Sequence, residues 1–427
     1  MDIALLVVLL VTFLTFTLPI GISLGLATAI TMYFTSGVPL TMIAQTAFTG
    51  IDSFPLLAIP FFMLAGSLMG YGGISKRIVG FAECLVGHMI GALAMVTIVA
   101  CMFFAAISGS GPATVSAIGS FMIPAMKEKL YGGPFAAAIS AAAGSIGVII
   151  PPSIPFVIYG VVSGASVGEM FLAGVIPGII IGVSLMIYSH FVAKKRGYPR
   201  SDVDRSLPNL WLTFKDAIWA LLVPVIILGG IYGGVFTPTE AAVVGVVYAM
   251  IIGKFIYKEL DFETLKEAYK DTVMVNGATT FMLGLSMAFA RYLTMEEVPL
   301  KVGGWIIGVS DSKYVILLLI NIMFLAVGCF IDNISSMIIL TPIFLPVMIE
   351  LGIDPVHFGL FMTVALAIGF ITPPYGANLF VASAVSGERI DGISKEIFPL
   401  VGVMTICLFL FTYFPFFSMG LVNLLMR

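Results

Sequence analysis

The chain has 427 residues, of which 60% are hydrophobic and 10% are charged, and its mean hydropathy is +1.12. Soluble domains carry about 25% charged residues, so this composition excludes a soluble globular fold and indicates a membrane protein. The formal net charge of -3 and the lack of a basic tail exclude the charge pattern of a nucleic-acid-binding protein. No GxxxxGKS or GxxxxGKT motif occurs, which excludes nucleotide hydrolysis through a P-loop.

The apolar segments predict ten membrane-spanning helices, because a helix needs about 20 apolar residues to cross a bilayer. In chain order these helices cover 3–16, 19–35, 52–70, 134–160, 171–191, 212–232, 238–257, 272–290, 356–384 and 398–422. Two further apolar stretches, hairpin 1 (88–130) and hairpin 2 (314–350), each contain a short break rich in small or polar residues. We name these breaks tip 1 (Ser108-Gly109-Ser110-Gly111-Pro112) and tip 2 (Asp332-Asn333-Ile334-Ser335-Ser336).

The chain divides into two related halves, 1–193 and 212–427, joined by a polar linker at 194–211. Residues 222 positions apart match across the halves, including Pro124 with Pro346, Gly147 with Gly369, Pro177 with Pro399, and Pro151-Pro152 with Pro373-Pro374. Upstream the spacing is 219, as for Pro19 with Pro238 and for Phe62-Met63-Leu64 with Phe281-Met282-Leu283. Repeated prolines in one register indicate an internal repeat and not chance apolar similarity.

Short loops rich in Lys or Arg belong on the cytoplasmic side of a membrane. Three loops meet this rule, and they contain Lys76-Arg77, Lys127 with Lys129, and Lys194-Lys195-Arg196. The lysine-rich segment 254–270 is predicted to lie as an amphipathic stretch on the same face. Each half then has five spanning helices, an odd number, so the second half is inverted. The predicted fold is an all-α polytopic membrane protein with an inverted repeat of five transmembrane helices and one re-entrant hairpin per half, a plan found in secondary transporters.

Charge placement leaves open whether hairpins 1 and 2 are re-entrant or are two full spans, because both arrangements put the flanks on one side. Symmetry favours re-entrant hairpins whose tips meet near the midplane. Each hairpin is followed by an interrupted helix, broken helix 1 (134–160) with Pro151-Pro152 and broken helix 2 (356–384) with Pro373-Pro374. Proline pairs remove backbone donors, and the freed carbonyls beside Ser, Thr and Asn side chains suit a hard cation such as sodium.

Asp332 is the one carboxylate predicted deep in the bilayer, where such a group is costly and functional by default. It could bind a cation or accept hydrogen bonds from a substrate, and it could also cap the following helix. An intramembrane enzyme is disfavoured, because the sequence supplies no intramembrane His, Lys or second carboxylate as its partner.

Four segments of the chain carry a family resemblance, and in order they are the tip motif 109–114, Ile149-Ile150-Pro151-Pro152-Ser153, Thr237-Pro238-Thr239-Glu240-Ala241-Ala242 and Thr372-Pro373-Pro374-Tyr375-Gly376. They resemble the large membrane subunit of tripartite ATP-independent periplasmic (TRAP) transporters, and the resemblance covers essentially the whole chain. The resemblance implies a sodium-coupled importer with an elevator mechanism. A mobile transport domain would comprise the hairpins and broken helices, and the remaining helices would form a scaffold. A stand-alone ion-coupled anion symporter or antiporter of similar plan is the alternative.

By motif match, the resemblance implies a substrate site at Ser110, Ser153, Asp332 and Asn378. It implies sodium sites at Ser108, Gly109, Gly144, Ser145, Gly147, Gly328, Asn333, Ser335, Gly369, Thr372 and Gly376, with Na+ as the coupling ion.

The resemblance also implies two partners in the bacterial inner membrane and periplasm. One is a periplasmic substrate-binding protein. The other is a small membrane subunit of about four helices, expected as a separate chain because no N-terminal extension precedes the first helix. The expected substrate is an organic acid, with sialic acid favoured over C4-dicarboxylates.

Overall fold

The computed structural model describes residues 2–16, 18–35, 38–200, 206–310, 312–374 and 376–427, and in these ranges the chain is helical without strands. A 3-10 turn (Phe54–Leu57) leads into α4, another (Ile146–Val148) follows α8, and a π-helical turn (Ile252–Ile256) extends α12. The helices are α1 Asp2–Thr15, α2 Ile20–Thr35, α3 Thr41–Ile51, α4 Ala58–Tyr71, α5 Ile74–Val86, α6 Ala92–Ser108, α7 Gly111–Glu128, α8 Gly133–Ser145, α9 Ile154–Ser163, α10 Val167–Arg196, α11 Leu207–Tyr232, α12 Pro238–Ile251, α13 Phe262–Met295, α14 Val298–Val309, α15 Lys313–Gly328, α16 Asn333–Glu350, α17 Pro355–Gly369, α18 Ala377–Ser386, α19 Ile390–Tyr413 and α20 Phe416–Leu425.

Length and composition confirm a polytopic α-helical membrane protein. Within the described ranges, seven helices are long and apolar enough to cross a membrane, and shorter apolar helices accompany them. The seven are Phe54–Tyr71, Val167–Arg196, Leu207–Tyr232, Pro238–Ile256, Phe262–Met295, Asn333–Glu350 and Ile390–Tyr413.

Some predicted boundaries are wrong. The segment 398–422 is not one helix, because Pro415 separates α19 from α20; the residue before a proline is biased towards extended backbone, and Phe414 has φ -121° and ψ 87°. The segment 254–270 is also not one element. Its first residues finish the π-helical turn, and Asp261 then caps α13 by accepting a 2.8 Å hydrogen bond from the Thr264 backbone N–H.

The order of elements repeats along the chain. A hairpin (α6 and α7) precedes broken helix 1 (α8 and α9) and α10, and a second hairpin (α15 and α16) precedes broken helix 2 (α17 and α18) and α19. Packing crosses between the halves, since α7 contacts both α8 and α18 while α16 contacts both α17 and α9. The second helix of each hairpin therefore touches both broken helices. The inversion of the halves and the domain limits stay predictions.

Candidate functional site

Tip 1 is a tight turn whose hydroxyls bind one another. Helix α6 ends at Ser108, Gly109 turns the chain with φ +62°, and Ser110 caps α7. The Ser108 hydroxyl lies 2.9 Å from that of Thr114, which donates to the Ser110 carbonyl at 2.8 Å. Both side chains are buried, so the turn satisfies its own polar groups.

The structure places tip 1 between the two broken helices. The Ile154 N–H at the start of α9 donates to the Gly109 carbonyl at 3.2 Å. A Cβ atom on Gly147 would lie 2.7 Å from the Ser110 carbonyl oxygen, and one on Gly111 would lie 3.1 Å from Asn378 Oδ1. Glycine is required where backbones approach this closely. Four of the predicted site residues, Ser108, Gly109, Ser110 and Gly147, thus gather at one place.

The serines of broken helix 1 have structural partners. Ser153 is fully buried, donates to the Val148 carbonyl at 2.6 Å and accepts from the Phe156 N–H at 3.4 Å, so it caps α9. Ser145 donates to the Ala142 carbonyl at 2.7 Å and lies 3.6 Å from Met404 Sδ in α19. Both hydroxyls therefore form hydrogen bonds within the chain. A ligand role for Ser153 or Ser145 stays a prediction.

Gly144 lies where α8 approaches α7. A Cβ atom on Gly144 would lie 3.2 Å from the Val115 backbone nitrogen, so this glycine permits close helix packing beside tip 1. Its predicted role as a sodium ligand is not tested by this contact.

Tip 2 also begins its second helix with a capping residue in extended backbone, but its turn is longer, since α15 already ends at Gly328. Asp332 caps α16, its Oδ2 accepting from the Ser335 N–H at 3.1 Å, so the capping role exists. Its Oδ1 is buried without a hydrogen-bond partner. The same holds for both amide atoms of Asn333 and for the Ser336 hydroxyl, whose residues are 1% and 0% exposed. Buried polar atoms without partners are costly, and such a cluster indicates a place that a ligand completes.

Two further predicted residues lie close to tip 2 and to broken helix 2. The Ser335 hydroxyl donates to Met282 Sδ in α13 at 3.0 Å, so it faces a neighbouring helix. A Cβ atom on Gly328 would lie 3.2 Å from the Gly369 Cα, so α15 and α17 touch backbone to backbone.

Broken helix 2 holds the remaining predicted residues. Thr372 donates to the Ile368 carbonyl at 2.7 Å, and Gly376 has φ +30°. Asn378 is fully buried; its Nδ2 donates to the Ala141 carbonyl at 3.2 Å, and its Oδ1, which faces the first turn of α7, has no partner. Asn378 therefore belongs with tip 1. Tyr375, in the same break, lies outside the described residues.

Sequence reasoning missed two residues, Thr114 and Ser336. Each lies four residues after a capping side chain, Ser110 or Asp332, and four-residue spacing puts both side chains on one helix face. Thr114 and Ser336 are also 222 positions apart. The repeat register was the signal that could have identified them together.

The unpartnered atoms at tip 2 suit a cation and a polar solute. Asp332, Asn333 and Ser336 each supply an oxygen, and hard cations prefer oxygen ligands. The Asn333 Nδ2 supplies a donor that an acid group could accept. The residues present therefore fit the sodium ion that the resemblance implies.

Comparisons with known proteins agree with this architecture. Residues 6–417 match the sequence model described as Tripartite ATP-independent periplasmic transporter, DctM component. The chain is 47% identical over 403 residues to the Isethionate TRAP transporter permease protein DctMQ of Oleidesulfovibrio alaskensis, covering 94% of this chain and 64% of that protein. It is 40% identical to the C4-dicarboxylate TRAP transporter large permease protein DctM of Rhodobacter capsulatus, covering 96% of each.

A sialic-acid relative and a solved structure complete the comparison. The Sialic acid TRAP transporter large permease protein SiaM of Vibrio cholerae is 39% identical, covering 95% of each chain. The crystal structure of the YdaH transporter of Alcanivorax borkumensis aligns with a TM-score of 0.64 at 14% identity over 91% of each chain, which shows a shared fold alone. The protein is therefore a multi-pass membrane transporter and not an enzyme, and it belongs to the DctM family of TRAP transporter large permeases.

Proposed function

We propose that the chain is the large membrane subunit of a sodium-coupled, binding-protein-dependent secondary importer of a small organic acid. The observation that carries this proposal is the set of buried, unpartnered polar atoms of Asp332, Asn333 and Ser336 at tip 2. A solute carrier must bind its solute in the protein interior. A preformed cluster of polar atoms without hydrogen-bond partners gains such partners when the solute or ion binds.

Helix ends support an anionic substrate. The N-termini of α7, α9 and α16 all begin at the breaks, and a helix N-terminus carries a partial positive charge that favours carboxylate or sulfonate groups. The Asp332 carboxylate would repel an anion. We therefore propose that its unpartnered oxygen binds sodium or accepts a hydrogen bond from a hydroxyl of the solute. Sodium bound beside Asp332 would lower the cost of bringing an anion to the same place.

The names of the relatives bear on substrate size. Identity to the isethionate relative (47%) exceeds identity to the sialic-acid relative (39%). The preference for sialic acid stays a prediction. The identities favour a smaller acid, and we propose a short sulfonate or C4-dicarboxylate first.

Ion pairs support a division into a moving body and a scaffold. In the described part of the chain, the ion pairs between different helices or their caps fall into two separate groups. One group ties α5 to α11 and to the loop before α13, through Arg77–Asp216 and Arg77–Glu259. The other ties hairpin 1 to the turn between α18 and α19, α10 to α19, and a residue after α20 to α10 and to the cap of α17, through Lys127–Glu388, Arg196–Glu396, Arg427–Glu169 and Arg427–Asp354. This separation suits an elevator mechanism in which α10 and α19 belong to the moving body, and not to the scaffold that the sequence predicts.

The family assignment supports two partners, a small membrane subunit and a periplasmic binding protein, at a bacterial inner membrane. The test is uptake by proteoliposomes that contain this chain, the small subunit and a matching binding protein under an inward sodium gradient. Isethionate, succinate and sialic acid are supplied in turn. We expect uptake of one acid that needs all three proteins and stops when potassium replaces sodium. Uptake by this chain alone would support the stand-alone carrier instead, and sodium-independent uptake would overturn the coupling.

A further inference from the structure

Hairpins 1 and 2 end in the same backbone turn. After α7, the N–H groups of residues 129, 130 and 131 donate to carbonyl oxygens four, three and five residues earlier, at 3.0–3.2 Å. After α16, the N–H groups of residues 351, 352 and 353 repeat these bonds at 2.8–3.0 Å, at the repeat spacing of 222. Helices commonly end in this turn, whose central residue takes a left-handed conformation. Because the two turns match in backbone, a difference in their side chains is informative.

The central residue of the turn differs between the halves. Gly352 has φ +68°, whereas the matching Leu130 has φ +62° and is 86% exposed. Left-handed backbone is unfavourable for a bulky side chain, and contact with water is unfavourable for leucine. An apolar phase outside the protein removes the second cost, and around a membrane protein that phase is lipid. Leu130 therefore indicates lipid at the end of hairpin 1.

A cavity of about 400 Å³ lies beside this turn, between α5, the base of hairpin 1 (92–96 and 121–129) and the first residues after α10. Small-molecule cavities have volumes of about 300–1,000 Å³, so this one can hold a lipid headgroup. Part of its wall is apolar, and Val79 of α5, Val96 of α6 and Phe121 of α7 belong to it. Phe121 is 49% exposed, so the apolar wall continues onto the outer surface of the hairpin. A headgroup in the cavity can thus leave its acyl chain against apolar side chains.

The lining residues also include charges of both signs. Lys129 and Arg200 supply two cations, and Glu128 supplies a carboxylate; all three residues are exposed. The neighbouring Lys127 pairs with Glu388 at 2.7 Å, whereas the ion pairs within the described ranges include none of these three lining charges. Two cations together suit a phosphate, and a carboxylate beside them suits an ammonium group. The charges therefore fit a headgroup that carries both.

Two tyrosines hold the back of the cavity in place. Tyr131 is fully buried, and its ring stacks on Tyr198 with 4.3 Å between the ring centroids. The Tyr131 hydroxyl donates to the Pro199 carbonyl at 3.1 Å, and the Tyr198 hydroxyl donates to the Tyr131 carbonyl at 2.7 Å. These bonds fix the chain after α10 against the turn, and they bring Arg200 to the same cavity as Lys129.

The turn of hairpin 2 lacks this chemistry. Leu351 and Ile353 occupy the positions that match Lys129 and Tyr131, so that turn has neither the cation nor the hydroxyl. The basic loop of hairpin 1 is on the side predicted to be cytoplasmic. The cavity therefore belongs to that face of the membrane.

We propose that this cavity binds one phospholipid of the cytoplasmic leaflet whose headgroup carries a phosphate and a primary amine. The phosphate lies at Lys129 and Arg200, and the ammonium group lies at Glu128. An acyl chain follows Phe121, and Leu130 enters the bilayer beside it. The bound lipid joins α5 to the base of hairpin 1. This site is separate from the tips and does not depend on the proposed substrate or coupling.

The charge pattern selects among lipids. Glu83 of α5 adds a second carboxylate to the lining beside Glu128, so a phosphate without an amine meets two repelling groups. A choline headgroup has no N–H to donate, and quaternary ammonium groups are usually held by several aromatic rings. Among the described lining residues Phe121 and Tyr131 are aromatic, and Tyr131 already stacks on Tyr198. Phosphatidylethanolamine is therefore the lipid that fits.

Native mass spectrometry of the full-length protein, purified in detergent and stripped of lipid, measures this binding. Phosphatidylethanolamine, phosphatidylglycerol and phosphatidylcholine with identical acyl chains are added in turn, and the first bound lipid is quantified. We expect phosphatidylethanolamine to bind about tenfold more tightly than the other two, as one charged hydrogen bond would give. Equal binding of the three lipids would overturn the assignment.

Two variants separate the charges of the site. Lys129→Leu should weaken phosphatidylethanolamine binding about tenfold, and the matching turn of hairpin 2 already holds leucine at this position. Glu128→Gln should instead remove the preference for phosphatidylethanolamine over phosphatidylcholine, because its side chain no longer attracts an ammonium group. Thermal melting of the lipid-free proteins checks that both variants fold. Unchanged lipid binding by both folded variants would reject the site.

Lys195→Leu is the matched control, because Lys195 is exposed at the end of α10 and does not line the cavity. It removes the same charge and should leave phosphatidylethanolamine binding unchanged; an equal loss would reduce the effect to general surface charge. Soluble phosphoethanolamine should compete only at concentrations at least about a hundredfold above those of the lipid, since it lacks acyl chains. Competition at equal concentrations would assign the cavity to a water-soluble phosphate compound and overturn the proposal.

Discussion

Tips 1 and 2 both begin a helix with a capping side chain, and they differ in how their polar groups are satisfied. At tip 1 the hydroxyls of Ser108 and Thr114 bind each other, and Thr114 binds the backbone of Ser110. At tip 2 the positions matching Ser110 and Thr114 are Asp332 and Ser336, and both retain a buried oxygen without a partner. One turn is complete on its own, and the other is not.

This difference locates the chemistry within a symmetric fold. Shared Gly and Pro positions interrupt the two broken helices in a similar way, because they allow close backbone approach and end helices. The departures from symmetry, a carboxylate for a hydroxyl and an asparagine for Gly111, add oxygen atoms to one tip only. Repeat symmetry thus supplies the framework, and its violations indicate ligand binding.

The largest effect is expected from Asp332. Asp332→Ala should abolish uptake in the proteoliposome assay, since it removes the unpartnered buried oxygen. Asp332→Asn is the matched control, because asparagine also caps helices and keeps the fold, whereas alanine costs about 1 kcal/mol of capping stability. Loss of uptake in both variants, with normal melting of the asparagine variant, would assign the effect to charge. Normal uptake by the alanine variant would remove Asp332 from the mechanism, and normal uptake by the asparagine variant alone would assign the effect to the oxygen atom and not to charge.

Sodium removal should affect the two tips unequally. Replacing sodium by choline should speed amide hydrogen exchange in the first turn of α16 by about tenfold, because a ligand that completes buried groups slows local opening. Exchange in the first turn of α7 should change little. Mass spectrometry of peptides covering 108–116 and 330–338 measures both, and an equal response would break the distinction between the tips.

The matched pair Thr114→Val and Ser336→Ala separates stability from binding. Thr114→Val should lower the free energy of unfolding by about 1–2 kcal/mol, because it breaks two hydrogen bonds and leaves the Ser108 hydroxyl with only its longer contacts to the Ser110 backbone, at 3.3 and 3.4 Å. Ser336→Ala breaks none and should leave stability unchanged, while raising the sodium concentration for half-maximal uptake about tenfold. Thermal melting and sodium titrations check both. The opposite assignment of effects would show that tip 1 carries the ligand.

The smallest effect is expected at Ser153. Ser153→Ala should lower the free energy of unfolding by about 1 kcal/mol because the helix cap is lost, with little change in the substrate concentration for half-maximal uptake.

Ser110→Ala should instead weaken substrate use, since Ser110 is half-buried and its capping bond is long at 3.5 Å. Uptake kinetics compare the two variants. Weaker substrate use by the Ser153 variant at unchanged stability would restore the ligand role predicted from sequence.

Sequence patterns predicted the hairpins and broken helices well, because Gly and Pro interrupt apolar runs in both halves. They missed α3, α5 and α14, since helices of 11 to 13 residues are too short for a span. They also overran Pro415, because the surrounding residues of 398–422 are mostly apolar. The partners of Ser145 and Ser153 were beyond reach, because a residue type does not reveal which backbone group its hydroxyl meets in three dimensions.

The contact between Gly328 and Gly369 fixes where Asp332 lies. Side chains can change rotamer and absorb small shifts, but two backbones in direct contact leave no such freedom. The main-chain atoms of broken helix 2 therefore set the position at which tip 2 starts. Substitutions in the surrounding apolar core should leave this backbone contact intact, whereas a single methyl group at either glycine would displace the Asp332 carboxylate.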